Sequence, residues 1–226
     1  MTGIADRPTH LLVTGATGLV GGELVDLALA DERVARVVTV GRRVTGRNDV
    51  KLEEVVAGLD ELAGTDVAGP VDAVACCLGT TMRRAGSREA FRAVDLEGAV
   101  ATGRLGRRLD AASFALVSSI GADPDARGFY LRTKGEAERA VQALGFERTI
   151  ILRPSLLEGA RHELRLGERV GGVVLGAVAP LMVGRFRRWR PISARTVARA
   201  ILESLCEPSA AGVRILESDA IVALGS

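Results

Sequence analysis

The chain has 226 residues, enough for one domain with a small appendage. Its apolar content of 47% supplies a core of Val, Leu, Ala and Ile, because aromatics make up only 3%. The net charge of +2 is too small to imply nucleic acid, and Cys76, Cys77 and Cys206 form neither a disulfide framework nor a metal spacing. No apolar run reaches the ~18 residues of a membrane span. Met1–Thr9 is polar, contains Pro8 and lacks a signal-peptide pattern, so a reduced, cytoplasmic protein is expected.

In chain order, residues 1–9 read as a flexible tail, and residues 10–226 as a single domain. His10–Thr14 is an apolar strand and Leu19–Ala30 an amphipathic helix. Between them lie Gly15, Gly18 and Gly21 in a GxxGxxG spacing. The first glycine lets the strand bend, the second lets a pyrophosphate approach the backbone, and the third lets helix and strand pack closely. Phosphates then sit among the unpaired N–H groups of the helix N-terminus. A tight turn with no ligand would use similar glycines. The position after an N-terminal apolar strand favours the nucleotide reading.

Ala35–Val40 is a β-branched run suited to a strand covered on both faces. It ends in Gly41-Arg42-Arg43, with no acidic residue between Arg36 and Asn48. A carboxylate at this strand end would bond a ribose 2′-OH, whereas arginine attracts a 2′-phosphate. NADP(H) is therefore expected over NAD(H). Arg42 is the clamp and Arg43 a stacking partner for adenine, the alternative being two solvated arginines.

Leu52–Val56 is a weaker strand and Leu59–Leu62 a short helix. Val71–Leu78 is a buried strand ending at Gly79-Thr80-Thr81, and a long helix is expected over Ser87–Asp110. Phe114–Ser118 is a strand ending in a serine pair, Tyr130–Leu144 a helix, and Arg148–Leu152 a strand stopped by Pro154. This alternation predicts an α/β fold, a Rossmann-like doubly wound parallel sheet whose strand tails converge on one rim.

Tyr130 and Lys134 are four apart on one helical face. Ala137, Val141 and Leu144 continue that stripe, so the face should be buried. Lys134 is one of two lysines in the chain. An ammonium there needs partners, and a nucleotide ribose and a tyrosinate would serve. The ammonium favours the phenolate, so the phenol can trade a proton with a carbonyl or alcohol oxygen. A serine hydroxyl at the preceding strand end can hold that oxygen. Alone, each residue has an ordinary structural reading; together, beside a dinucleotide loop, they point to hydride-transfer chemistry.

Beyond Pro154 the alternation weakens. Glu163–Val183 reads as a glycine-broken helix, followed by the basic Arg185–Arg190. Residues 158–195 are expected to form a small C-terminal substrate-side subdomain. Segment 170–190 is read first as a packed helix with a solvated basic turn, then as a pocket wall with arginines at its mouth, then as an interfacial membrane contact. A stripe of nucleic-acid contacts is not expected. Thr196–Cys206 is a helix and Gly212–Leu216 a final strand.

TGATGLVG at Thr14–Gly21, the serine pair and YLRTK at Tyr130–Lys134 resemble the short-chain dehydrogenase/reductase superfamily. CCLGTTMRRAG (Cys76–Gly86), FRAVDLEGAV (Phe91–Val100), LVSSIGAD (Leu116–Asp123), FYLRTKGEAE (Phe129–Glu138) and LRPSLLEG (Leu152–Gly159) are similar to its atypical branch of Tat-interacting-protein-like oxidoreductases. The resemblance implies NADP(H) binding and catalytic Ser119, Tyr130 and Lys134. It implies a cofactor site of Gly15, Ala16, Thr17, Gly18, Leu19, Val20, Gly21, Arg42, Arg43, Leu78, Gly79, Thr80, Tyr130, Lys134, Pro154 and Leu156. Many relatives carry an asparagine where this chain has Asp95, and no role is assigned there. The expected function is oxidoreduction of a small carbonyl or alcohol substrate. The alternative is an NADPH-binding redox sensor acting through a protein partner. No metal is expected, and a homodimer is among the assemblies the sequence leaves open.

Overall fold

The computed structural model describes residues 9–158, 191–207 and 210–226. The elements run β1 (Thr9–Thr14), α1 (Leu19–Ala30), β2 (Val34–Gly41), β3 (Leu52–Val56), β4 (Ala73–Cys76), α2 (Met82–Ala85) and α3 (Arg88–Arg92). They continue with α4 (Gly98–Arg108), β5 (Ser113–Val117), α5 (Phe129–Gln142), β6 (Arg148–Arg153), α6 (Ala194–Cys206), β7 (Gly212–Glu217) and α7 (Ser218–Gly225). The strands form a seven-stranded sheet in the order β3-β2-β1-β4-β5-β6-β7. Every neighbouring pair is parallel.

The inner strands β1, β2, β4, β5 and β6 are largely apolar and buried because helices cover both faces of the sheet. On one side Leu24, Val25 and Ala28 of α1 pack with Val197, Ile201 and Leu205 of α6 over Leu11 and Val13. On the other, Leu105 of α4 and Val141 of α5 pack with Leu12, Val74, Phe114 and Phe146. The strand order reverses between β1 and β4, and ligands of open parallel sheets sit at such a switch point, beyond the C-terminal strand ends.

The long helix expected over Ser87–Asp110 is broken in register. Between α3 and α4, Ala93–Glu97 forms a π-turn, in which the Gly98 N–H donates to the Ala93 carbonyl five residues back. The added residue bulges the helix and turns Asp95 inward. The short helix expected at Leu59–Leu62 is instead a 3₁₀ turn at Leu62–Gly64. Helices α2 and α7 were not expected, since one turn and two turns respectively give too little periodicity to read.

The proposed helix over Glu163–Val183 and the basic run Arg185–Arg190 lie outside the described residues, as do residues 1–8 of the tail. The described ends of the 158–195 segment meet: Glu158 N–H donates to the Ile192 carbonyl at 2.8 Å, and Ile192 N–H to the Leu156 carbonyl at 3.0 Å.

Candidate active site

The glycine turn after β1 is built by steric exclusion. Gly15 has φ +74°, and a Cβ there would lie 2.5 Å from the Cys77 carbonyl carbon and oxygen. A Cβ on Gly21 would lie 2.2 Å from the Gly15 carbonyl oxygen, so no other residue lets α1 approach so closely. At Gly18 the nearest atom is the same oxygen at 3.2 Å, and Thr17, Gly18 and Leu19 are exposed. The turn thus presents backbone to solvent at the start of α1. Val20 faces the other way, buried in the core with α6, so only its backbone is available to a ligand.

A groove opens beside this turn. Its walls are Gly15, Ala16 and Thr17 on one side, Arg42 and Arg43 after β2 on another, and Ala57, Leu59, Leu62 and Leu78 at its apolar base. Its open volume is about 560 Å³ with the solvent at its mouth included, so it is a shallow groove and not an enclosed cavity. The bare backbone of Gly41, with nothing within 4 Å of where a Cβ would stand, leaves the groove open beside the arginines.

The next strand tails and α5 carry the residues expected to react. Lys134 is 5% exposed, as the helical stripe predicted. Tyr130 is not buried: it is 36% exposed, because the first turn of α5 holds it at the surface. Phe91 packs against the Tyr130 ring at 5.4 Å between centroids and fixes it from α3.

The partner of Lys134 was not foreseen. Its Nζ lies 2.7 Å from Oδ1 of Asp95, whose side chain is fully buried by the π-turn. The other carboxylate oxygen of Asp95 accepts the Thr80 N–H at 2.9 Å. The backbone of Thr80, expected to border a ribose, therefore spends its donor on Asp95. A Cβ on Gly79 would stand 3.8 Å from Lys134 Nζ, so this loop lies directly against the lysine. Burial disfavours the ammonium, but the charges of the Asp95 carboxylate in contact with it and of Tyr130 outweigh that and raise the Lys134 pKa above its ordinary value.

The serine pair divides. Ser118 Oγ donates to Glu138 Oε1 at 2.5 Å and is buried. Arg153, at the end of β6, grips the same carboxylate through Nε at 3.0 Å and Nη2 at 2.6 Å. Ser119 is half-buried, with one long contact of 3.4 Å to its neighbour's carbonyl. Pro154 and Leu156 follow β6, and the Pro154 carbonyl accepts the Ile120 N–H at 3.0 Å, binding the two strand tails together. Burial pushes the Cys76 thiol up, which makes it an inert core residue. Among the described residues no cluster of His, Cys, Asp or Glu could hold a metal.

The sequence reading missed Asp95, Glu138 and Arg153. A signal existed: Glu138 lies four residues beyond Lys134 on the same face, where a buried carboxylate demands a partner.

The sequence matches the family described as "NAD dependent epimerase/dehydratase family" over residues 11–211. Protein HTATIP2 of Rattus norvegicus is 30% identical over 219 residues, covering 95% of this chain and 88% of that protein. Protein FMP52, mitochondrial, of Coccidioides immitis is 32% identical over 233 residues, covering 94% of this chain and 95% of that one. A solved oxidoreductase of the short chain dehydrogenase/reductase family from Burkholderia thailandensis superposes with a TM-score of 0.70 at 18% identity, over 96% of this chain and 94% of that chain. A short-chain dehydrogenase/reductase superfamily protein from Agrobacterium tumefaciens with bound NAD gives 0.64 at 21% identity, over 92% and 77%. The glycine turn at the switch point, the Tyr130–Lys134 helix and a family match over most of the chain's length converge: the chain belongs to the NAD dependent epimerase/dehydratase family.

Proposed function

We propose that the protein is an NADP(H)-dependent oxidoreductase that transfers hydride to or from a small carbonyl or alcohol. The observation that carries this reading is the buried, charged Lys134 one turn from a surface-accessible Tyr130, against the loop after β4 whose Leu78 lines the Gly15–Thr17 groove. The residues fit a dinucleotide. The Gly15–Gly18 backbone suits a pyrophosphate. The apolar base of Ala57, Leu59 and Leu62 suits an adenine, and Arg42 and Arg43 suit a 2′-phosphate.

When bound, the nicotinamide supplies or accepts the hydride. Tyr130 Oη gives its proton to the substrate oxygen in reduction and takes it back in oxidation. The Lys134 ammonium stabilises the phenolate left behind and donates to the ribose. Ser119 Oγ donates to the substrate oxygen and holds it beside the phenol. Ser118, committed to Glu138, holds the strand end on which Ser119 sits.

Two measurements test the reading. NADPH should bind at least about tenfold tighter than NADH, as a 2′-phosphate contact of about 1.4 kcal/mol or more requires. Arg42→Ala should abolish that preference, and equal affinities in the wild type would remove the 2′-phosphate assignment. Tyr130→Phe should lower kcat over a panel of small carbonyls by about 10²-fold or more, with NADPH affinity retained. Undiminished turnover in that variant would defeat the mechanism. Binding of NADPH with no turnover on any carbonyl would favour the sensor alternative.

A further inference from the structure

We propose that Asp95 is a positioning residue that keeps the buried Lys134 charged and aimed, and that ties the lysine to the loop after β4. The proposal rests on the reading of Lys134 as part of the reactive site. Three observations carry it. Lys134 is almost entirely enclosed, and its ammonium has one carboxylate within 2.7 Å, that of Asp95. Asp95 reaches this point only because the π-turn Ala93–Glu97 turns it inward between two regular helical stretches. Its second oxygen holds the Thr80 N–H, so one carboxylate fixes both the lysine and the loop expected to border the cofactor.

The surroundings of Lys134 show why a charge is needed there. From α5 itself come Tyr130, one turn before, and Glu138, one turn after, the latter held by Ser118 and Arg153. From the end of β4 comes the buried thiol of Cys76, beside the bonded pair Thr14 and Thr102. From the end of β5 comes the Val117 carbonyl, 3.5 Å from Nζ. Among the described residues, the carboxylate in ion-pair contact with the ammonium is that of Asp95. An enclosed amine without a counter-charge gives up its proton. A neutral Lys134 would stabilise a phenolate poorly, so the carboxylate at position 95 protects the function of the lysine. An amide there could accept the same N–H from Thr80 and yet leave the lysine uncompensated.

The composition of the chain allows a direct test. It has two lysines, Lys51 and Lys134. Lys51 bonds the Asp31 carbonyl at 2.8 Å, far along the chain from the site, and Lys51→Arg assigns the two signals. With lysine carrying ¹³C at Cε, NMR titration follows Lys134 in the whole protein without turnover. In the wild type its midpoint should lie above the ordinary lysine value of 10.5, and a midpoint below 10.5 overturns the proposal whether or not any variant folds. In Asp95→Asn the midpoint should drop below 10.5, with the Lys51 midpoint unmoved, while Asp95→Glu should restore it at least in part. An unchanged Lys134 midpoint in folded Asp95→Asn also overturns the proposal.

If the protein turns over, the alkaline limb of kcat/KM in Asp95→Asn should move to lower pH in step with the NMR midpoint. A purely structural role would lower activity at all pH values alike. NADPH should shift the Lys134 signal in the wild type. A signal indifferent to NADPH, together with the predicted Asp95→Asn change, would leave the ion-pair assignment standing and remove the cofactor reading.

Discussion

At the residue scale, the glycines of this chain do different work, and their spacing reveals only part of it. The GxxGxxG pattern was legible because three glycines between a strand and a helix have few explanations. Gly135 was not, since a single glycine inside a helix reads as a tolerated weakness. In the structure it is the point where α5 touches the loop after β5: a Cβ there would lie 2.2 Å from the Asp123 carbonyl carbon and the Pro124 nitrogen. Both are backbone atoms and cannot step aside as a side chain could. Gly135→Ala should therefore lose about 1–3 kcal/mol or more of stability by urea denaturation, despite the better helix propensity of alanine. Gly64→Ala, where nothing lies within 4 Å, should stay within about 0.5 kcal/mol. Equal losses at the two sites would show that helix approach is not what excludes a side chain at position 135.

At the element scale, periodicity located the helices and strands but not the device that arms them. α5 was read as a stripe of Tyr130, Lys134, Ala137, Val141 and Leu144, and most of that face is buried. The stripe also carries Glu138, and the apolar reading passed over it because a single glutamate on a helix is usually solvated. A π-turn is less legible still. It needs one residue more than the α-helical repeat allows, and no residue type marks it.

The Glu138 carboxylate joins β5, α5 and β6 through Ser118 and Arg153, and Arg153 reaches on to Glu217 at the end of β7 at 3.2 Å. Removing the guanidinium strands a buried anion. Arg153→Ala should cost about 3–5 kcal/mol, seen as a lower denaturation midpoint. The double variant Arg153→Ala with Glu138→Gln should recover part of that loss, because the residual charge is gone. Additive losses in the pair would mean that the two side chains do not act on each other.

For the whole molecule, the alternation of strands and helices dictated the parallel sheet, and the parallel sheet dictated the convergence of five strand tails. What the alternation could not convey is how the helical layer is locked to the loops. Two arginines do this on the α1 side. Arg33 bonds Asp31 at the end of α1 through Nη2 at 2.7 Å and Glu203 of α6 through Nη1 at 2.8 Å. Arg47, in the β2–β3 connection, bonds Asp26 of α1 through Nε at 2.6 Å.

These contacts define the acid limit of stability. The side-chain hydrogen bond from Arg33 is the largest influence on Asp31 and holds its carboxyl below the ordinary 3.8, and Arg47 does the same for Asp26. On unfolding, both carboxyls return to that ordinary value and take up protons more readily than in the fold. Their contribution is thus complete above pH 3.8 and is lost as the pH falls through the lowered folded values. The Asp31 side chain is 17% exposed and that of Asp26 52%, so water and salt screen the second pair more. Melting temperatures followed from about pH 5 down to about pH 2 should therefore fall less steeply in Arg33→Gln than in the wild type, from a lower starting value. Arg47→Gln should change the slope less, and high salt should erase most of its difference. An acid slope in Arg33→Gln as steep as that of the wild type would mean that the acid limit is set by other carboxylates.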